Sequence, residues 1–163
     1  MISIQSIAND IMLEDAIGTF PDECCGFFFG SEDKRGNRLV THVQVVNNAK
    51  EGDKRRRFEI SPRDYLKAEQ FAEENNLQLL GVYHSHPNHP AIPSETDRLS
   101  AQPYFSYIII SVYNKEVKEI RSWRLTPCFQ FEEEQINQSE IINNHYGNSN
   151  HSHTTQKIHQ QYS

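Results

Sequence analysis

Hydrophobic and polar positions along the chain switch repeatedly between helical and strand spacing. Ser6–Thr19 carries Ile7, Ile11 and Ala16 near the spacing of one helix face, and Pro21 follows as a boundary. CGFFFG at 25–30 and LVTHVQVVNN at 39–48 then read as two strands around SEDKRGN, a run of turn formers and charges. A second helix is signposted at its start. Ser61 suits the N-cap, Pro62 the first helical position, and Asp64 the acidic position of a capping box. Leu66, Ala68, Phe71 and Ala72 are spaced for its buried stripe, and Asn75-Asn76 can end it. LQLLGVYHSH at 77–86 is an apolar strand running into histidines, and YFSYIIISVYN and VKEIRSWRL supply two more strands. Helices and strands in this order predict an α/β (α+β) fold, a mixed central sheet flanked by helices.

This patterning stops near Glu132. From there the chain reads EEEQINQSEIINNHYGNSNHSHTTQKIHQQYS, dominated by Asn, Gln, Ser and His. Such a segment has too little apolar surface to offset the entropy of ordering it. The expected organisation is a folded domain at 1–132 and a polar, disordered tail at 133–163.

Composition narrows the function classes. The 163 residues suit one domain with its own core. A net charge of −6 argues against a general nucleic-acid binder, which would carry a basic patch or stripe. No apolar run approaches the ~20 residues needed to span a bilayer. The first residues carry Asp10, Glu14 and Asp15 where a signal peptide would be apolar. Cys24, Cys25 and Cys128 are odd in number, with two adjacent, which disfavours a disulfide framework. The expectation is a soluble protein of a reducing compartment, the cytoplasm, with no membrane or nucleic-acid partner.

Candidate chemistry lies in HSHPNHPAIPSETD, His84 to Asp97. On a strand successive side chains alternate faces, so His84 and His86 point the same way, with backbones about 6–7 Å apart. Their imidazoles can then converge on one ion, while Ser85 points away. Pro87, Pro90 and Pro93 end the strand and stiffen a loop that leads to Ser94 and Asp97 at a helix start. Each part also has an ordinary structural reading. An isolated His-x-His is commonly a pair of strand-end histidines, and Ser94-x-x-Asp97 has the form of a capping box. Together they form a two-His, one-Asp set, and three protein ligands with an open fourth position mark a catalytic zinc. On this reading Asp97 either ligates or caps, the two roles excluding each other. The second HSH, His151–His153, lies in the polar tail with no carboxylate or cysteine near it, and reads as solvated.

His84-x-His86, seven residues, then Ser94-x-x-Asp97 resembles without a gap the H-x-H-x(7)-S-x-x-D motif of the JAMM, or MPN-plus, metallopeptidase family. Pro21-x-Glu23-x-x-Gly26 resembles that family's upstream P-x-E-x-x-G segment, and the similarity continues through Phe58, Ser61-Pro62, Gly81-Val82-Tyr83 and the YIIIS strand. The resemblance covers roughly residues 1–130. It implies a JAMM/cytidine-deaminase-like architecture and a Zn2+ cofactor held by His84, His86 and Asp97. It further implies Glu23 as general acid/base and Ser94 as hydrogen-bond donor to the oxyanion. Stand-alone members of the prokaryotic branch hydrolyse the bond after the C-terminal Gly-Gly of a ubiquitin-like (ThiS/MoaD-type) sulfur carrier, for instance releasing cysteine. That carrier is the expected partner. A catalytically silent MPN-type protein-binding scaffold is the alternative, although such scaffolds usually lack part of the ligand set. A cupin-like site would need an all-strand barrel, against the helix at 61–76. Cys24 and Cys25 read as core or strand-edge residues, His89 as a loop residue facing water. Lys54-Arg55-Arg56-Arg57 reads as a solvated loop or as a receiver of an acidic partner surface.

Overall fold

In the computed structural model, which describes residues 1–137, an eight-stranded sheet carries helices on both faces. The strands are β1 (Ile2–Ile4), β2 (Cys25–Glu32), β3 (Arg38–Val46), β4 (Gln78–Pro87), β5 (Ser106–Tyr113), β6 (Glu116–Leu125), β7 (Phe131–Glu134) and β8 (Ile136–Asn137). The helices are α1 (Ser6–Thr19), α2 (Pro62–Glu74) and α3 (Glu95–Ser100). Spatial order is β7-β6-β5-β4-β2-β3-β1-β8. The sheet is mixed as expected: β4 runs parallel to β5 and antiparallel to β2. Among the described residues no helix is long and apolar enough to cross a membrane.

Strand alternation sorts the core into two layers. Phe28, Leu80, Tyr83, Ile108 and Ile110 pack with Ala8, Met12 and Ala16 of α1. Phe27, Phe29, Val82 and Tyr107 pack on the opposite face with Ala68 and Ala72 of α2. CGFFFG is therefore buried throughout, because its strand has a covered face on each side.

Both helices lie where the spacing predicts, but their stripes are corrected. The buried side of α1 is Ala8, Met12 and Ala16, whereas Ile7 is 73% exposed and Ile11 only half-buried. Ala8, Met12 and Ala16 are four apart and so share one face, which puts Ile7 and Ile11 off the contact line. In α2, Ala68 and Ala72 are buried and Leu66 is 55% exposed. Tyr65 and Phe71 flank those alanines through edge contacts with Phe27 and Phe29. Its start is as read: Ser61 Oγ accepts from the Asp64 amide, and Pro62 opens the helix.

The folded part runs past the expected boundary at residue 132. β8 pairs in parallel with β1, and Glu134 of β7 is buried, accepting from the hydroxyls of Ser106 and Ser122. The same network reaches Arg38, a fully buried arginine bonded to Glu32, Ser106 and the carbonyls of Leu80 and Tyr104. Burying Glu134 needs these donors, which is why an acidic-looking segment joins the sheet. The second HSH at His151–His153 lies outside the described residues.

Candidate metal centre

The site forms at the end of β4, on the face that carries α2. Val82, His84 and His86 share that face, while Tyr83 and Ser85 point to the α1 side. Ser85 Oγ is used there, accepting from the Cys24 amide at 2.8 Å, and the Tyr83 hydroxyl donates to Asp15 of α1 at 2.8 Å. His84 Nε2 and His86 Nε2 lie 3.1 Å apart, and Asp97 Oδ2 lies 3.4 Å and 3.3 Å from them. The three donor atoms converge within 4.8 Å of one another, a set able to hold one metal ion.

What surrounds each donor fixes its orientation. His86 Nδ1 lies 2.8 Å from the carbonyl of Pro90 and can only donate to it, which leaves the Nε2 lone pair for an ion. His84 is buried and stacks on Phe58 at 4.4 Å between ring centres. Its Nδ1 has no hydrogen-bond partner among the described residues. Burial lowers the His84 imidazole below its ordinary pKa despite the nearby Asp97, keeping it in the neutral, ligating form. Burial also acts downward on His86, but hydrogen bonds with Asp97 and the Pro90 carbonyl lift it above its ordinary value. For Asp97 burial works upward, yet the two histidines and the Ser94 amide hold the carboxyl well below the usual carboxylate range. Two nitrogens and an anionic oxygen are a donor set suited to a divalent metal ion.

The turn back to Asp97 is anchored rather than loose. The Asn88 amide donates to Val112, Ser111 Oγ to the carbonyl of His89, Trp123 Nε1 to the carbonyl of Ala91, and the Ala91 amide to Glu119. His89 itself is exposed, as read. At α3 the exclusive choice for Asp97 is corrected. Its Oδ2 accepts from the Ser94 amide at 2.8 Å while also facing both histidines, and Ser94 Oγ accepts from the Asp97 amide at 3.1 Å. One carboxylate oxygen has lone pairs enough for both, so the capping contact leaves Asp97 free to face the histidines.

Glu23 lies two residues before β2. The antiparallel register pairs Cys25 with His84, so two residues earlier Glu23 falls opposite His86. It is 6% exposed, and it lines a cavity of about 500 Å³ together with His86 and Ser94. Burial is the main cause that pushes its carboxyl up to about 8 in the protein alone. A cation held beside it favours the ionised form. A second cavity of about 270 Å³ reaches His84 and Asp97 from the α2 side, between Phe58, Tyr65 and Tyr107. Gly26 explains the glycine of the upstream segment: a Cβ there would stand 2.4 Å from both the Tyr83 ring and the Gln44 carbonyl. Cys24 and Cys25 are buried, and burial raises both thiols, Cys25 to about 12, which suits core residues and not nucleophiles.

Asn48 is the site residue that the sequence does not reveal. Its Nδ2 donates to the carbonyls of Glu23 and Arg57, and its Oδ1 accepts from the amides of Lys50 and Glu59. No motif marks it, because an Asn after a strand looks like any turn residue.

A family model of prokaryotic homologs of the JAB domain matches residues 6–126. A desampylase of Pyrococcus furiosus is 35% identical over 104 residues, covering 64% of this chain and 67% of that protein. A CysO-cysteine peptidase of Mycobacterium tuberculosis is 29% identical over 126 residues, covering 77% of this chain and 83% of that one. Among solved structures, a protein from Desulfitobacterium hafniense superposes with a TM-score of 0.74 at 32% identity, covering 84% of this chain and 92% of that one.

Proposed function

The chain belongs to the family of prokaryotic homologs of the JAB domain, and on that premise we propose that it is a zinc-dependent peptidase acting on ubiquitin-like proteins. Its substrate is a ThiS/MoaD-type sulfur carrier, cut after the C-terminal Gly-Gly. The observation that carries this reading is the convergence of His84, His86 and Asp97 beside a cavity lined by Glu23 and Ser94. That two relatives bear the names desampylase and CysO-cysteine peptidase supports the substrate class.

His84 and His86 through Nε2, and Asp97 through Oδ2, would hold the ion. Bound there, zinc would supply a Lewis acid able to polarise the scissile carbonyl and acidify the attacking water. Glu23 takes the water's proton as the new C–O bond forms, then delivers it to the leaving nitrogen as the C–N bond breaks. The net change is one water added across the amide. Ser94 Oγ already accepts from the Asp97 amide, so its own hydrogen is available to the carbonyl oxygen as negative charge develops. Ser94→Ala is therefore expected to keep the metal and lose about 10²–10³ in kcat. It should also lose about 1 kcal/mol of stability with its N-cap. Turnover, zinc content and thermal unfolding measured on one sample check all three.

The cavity beside the candidate ligands lies between the connections at 47–61 and 88–94, and we take its occupant to be an extended tail of small residues. Glycine before the scissile bond lets the substrate backbone come close to the ion. Mass spectrometry of three substrates at equal enzyme and zinc tests this. A carrier ending in Gly-Gly-Cys should be cut, the same carrier with Val before the scissile bond should be cut poorly, and polyubiquitin should be a poor substrate. Equal cleavage of the Val variant, or faster cleavage of polyubiquitin, would refute the carrier reading and leave the hydrolase reading standing.

A further inference from the structure

Lys54-Arg55-Arg56-Arg57 is a run of four cations in a chain of net charge −6, and the structure fastens it to the segment that carries Glu23. The Glu23 amide donates to the Lys54 carbonyl at 2.7 Å, and Asn48 Nδ2 donates to the carbonyls of both Glu23 and Arg57 at 3.2 Å and 3.0 Å. Arg56 and Arg57 line the same cavity as Glu23, His86, His89 and Ser94, and Glu23 is the one acid in its lining. Their guanidinium groups are little used by the protein itself. The Arg56 side chain is 77% exposed and meets Asp53 only at 3.9 Å, while Arg57 Nη1 donates to the neighbouring Arg56 carbonyl.

The chemistry of the leaving group gives these arginines a task. Glu23 hands its proton to the leaving nitrogen, so that nitrogen must come to rest in this cavity. If the leaving group is a C-terminal amino acid, the carbon bearing that nitrogen also bears a carboxylate. An anion is then forced close to the Glu23 carboxyl, where like charges repel unless a cation stands between or beside them. A guanidinium offers both the charge and a planar fork matched to two carboxylate oxygens. If the leaving group is instead a lysine side chain, four methylenes occupy that space and nothing there would engage two arginines.

Resting on the peptidase reading above, we propose that Arg56 and Arg57 are the specificity-determining residues for the leaving group. They bind the α-carboxylate of the substrate's last residue, so that the site selects a bond whose cleavage frees a single amino acid over a lysine isopeptide. Asn48 is a positioning residue in this arrangement, holding the arginine loop and Glu23 in register.

The test is a comparison of kcat/KM for one ThiS-type carrier ending in Gly-Gly-Cys, prepared as the free acid and as the C-terminal amide, with the zinc-loaded full chain. The free acid should be cut about 10- to 100-fold faster, the range expected when a charge-assisted hydrogen bond is removed. In Arg56→Ala/Arg57→Ala the acid-to-amide ratio should fall to about 1, and in Arg56→Lys/Arg57→Lys it should return part of the way, since charge remains but the fork is lost. Because each enzyme is compared with itself on two substrates, a change in the amount of folded protein cancels. Equal rates for acid and amide in the unaltered chain, or an unchanged ratio in the double alanine variant, would overturn the arginine assignment and leave the peptidase reading intact. Cleavage of neither substrate by the zinc-loaded chain would overturn both.

Discussion

Glu23→Gln should abolish hydrolysis while the protein keeps its fold and its zinc. The amide has the shape of the carboxyl but cannot accept the water's proton, and a positioned general base contributes about 10²–10⁴ to rate. A loss at the upper end of that range is expected, because in the proposed mechanism Glu23 serves twice, first taking the proton and then delivering it. The substitution should cost little stability. Burial already pushes the Glu23 carboxyl up to about 8, so the fold accommodates a neutral group at this position. The checks are turnover by mass spectrometry, zinc by elemental analysis and unfolding by circular dichroism. A Glu23→Gln enzyme of ordinary activity would remove Glu23 from the chemistry.

The second large effect is expected at Asp97, where one oxygen is placed for two contacts. Oδ2 faces both imidazole nitrogens and also accepts from the Ser94 amide. Asp97→Ala should therefore lose the zinc, lose detectable peptidase activity, and lose about 1 kcal/mol of stability from the broken capping box. Asp97→Asn separates the two roles, since a neutral amide oxygen can still cap α3 but is a weaker ligand. It should retain most of the stability while binding zinc less tightly. The pair His151→Ala/His153→Ala should leave zinc content unchanged. Zinc that followed His151 and His153 instead of Asp97 would contradict the assignment of the site.

Much of this was legible in the sequence because the signals were local. His84 and His86 share a face by strand alternation alone, and the caps at Ser61 and Ser94 follow from residue type at fixed spacing. What the sequence concealed depended on partners distant along the chain. The buried faces of α1 and α2 rest largely on alanines, with Met12 in α1, and alanine carries little hydrophobic signal, whereas Ile7 and Leu66 carry a strong one and face outward. Glu134 looked like part of a polar tail because its partners Ser106 and Ser122 lie on other strands. That the capping contact of Asp97 coexists with its approach to both histidines was hidden for a geometric reason. Whether one oxygen can serve an amide and an ion together depends on angles that spacing does not encode. Glu23 and His86 are 63 positions apart and meet only through the pairing of β2 with β4, which is why the glutamate's role came from the resemblance and not from periodicity.

The most direct measurement is a zinc titration of activity. The chain is stripped with a chelator, zinc is returned in known increments, and release of cysteine from a carrier ending in Gly-Gly-Cys is followed by mass spectrometry. Activity should vanish on stripping and return in proportion to bound metal, levelling off at about one zinc per chain, as an open three-ligand site requires. Cleavage that survives stripping, or a folded, zinc-loaded chain that binds the carrier without cutting it, would contradict the account. The second of those results is the behaviour of a silent binding scaffold.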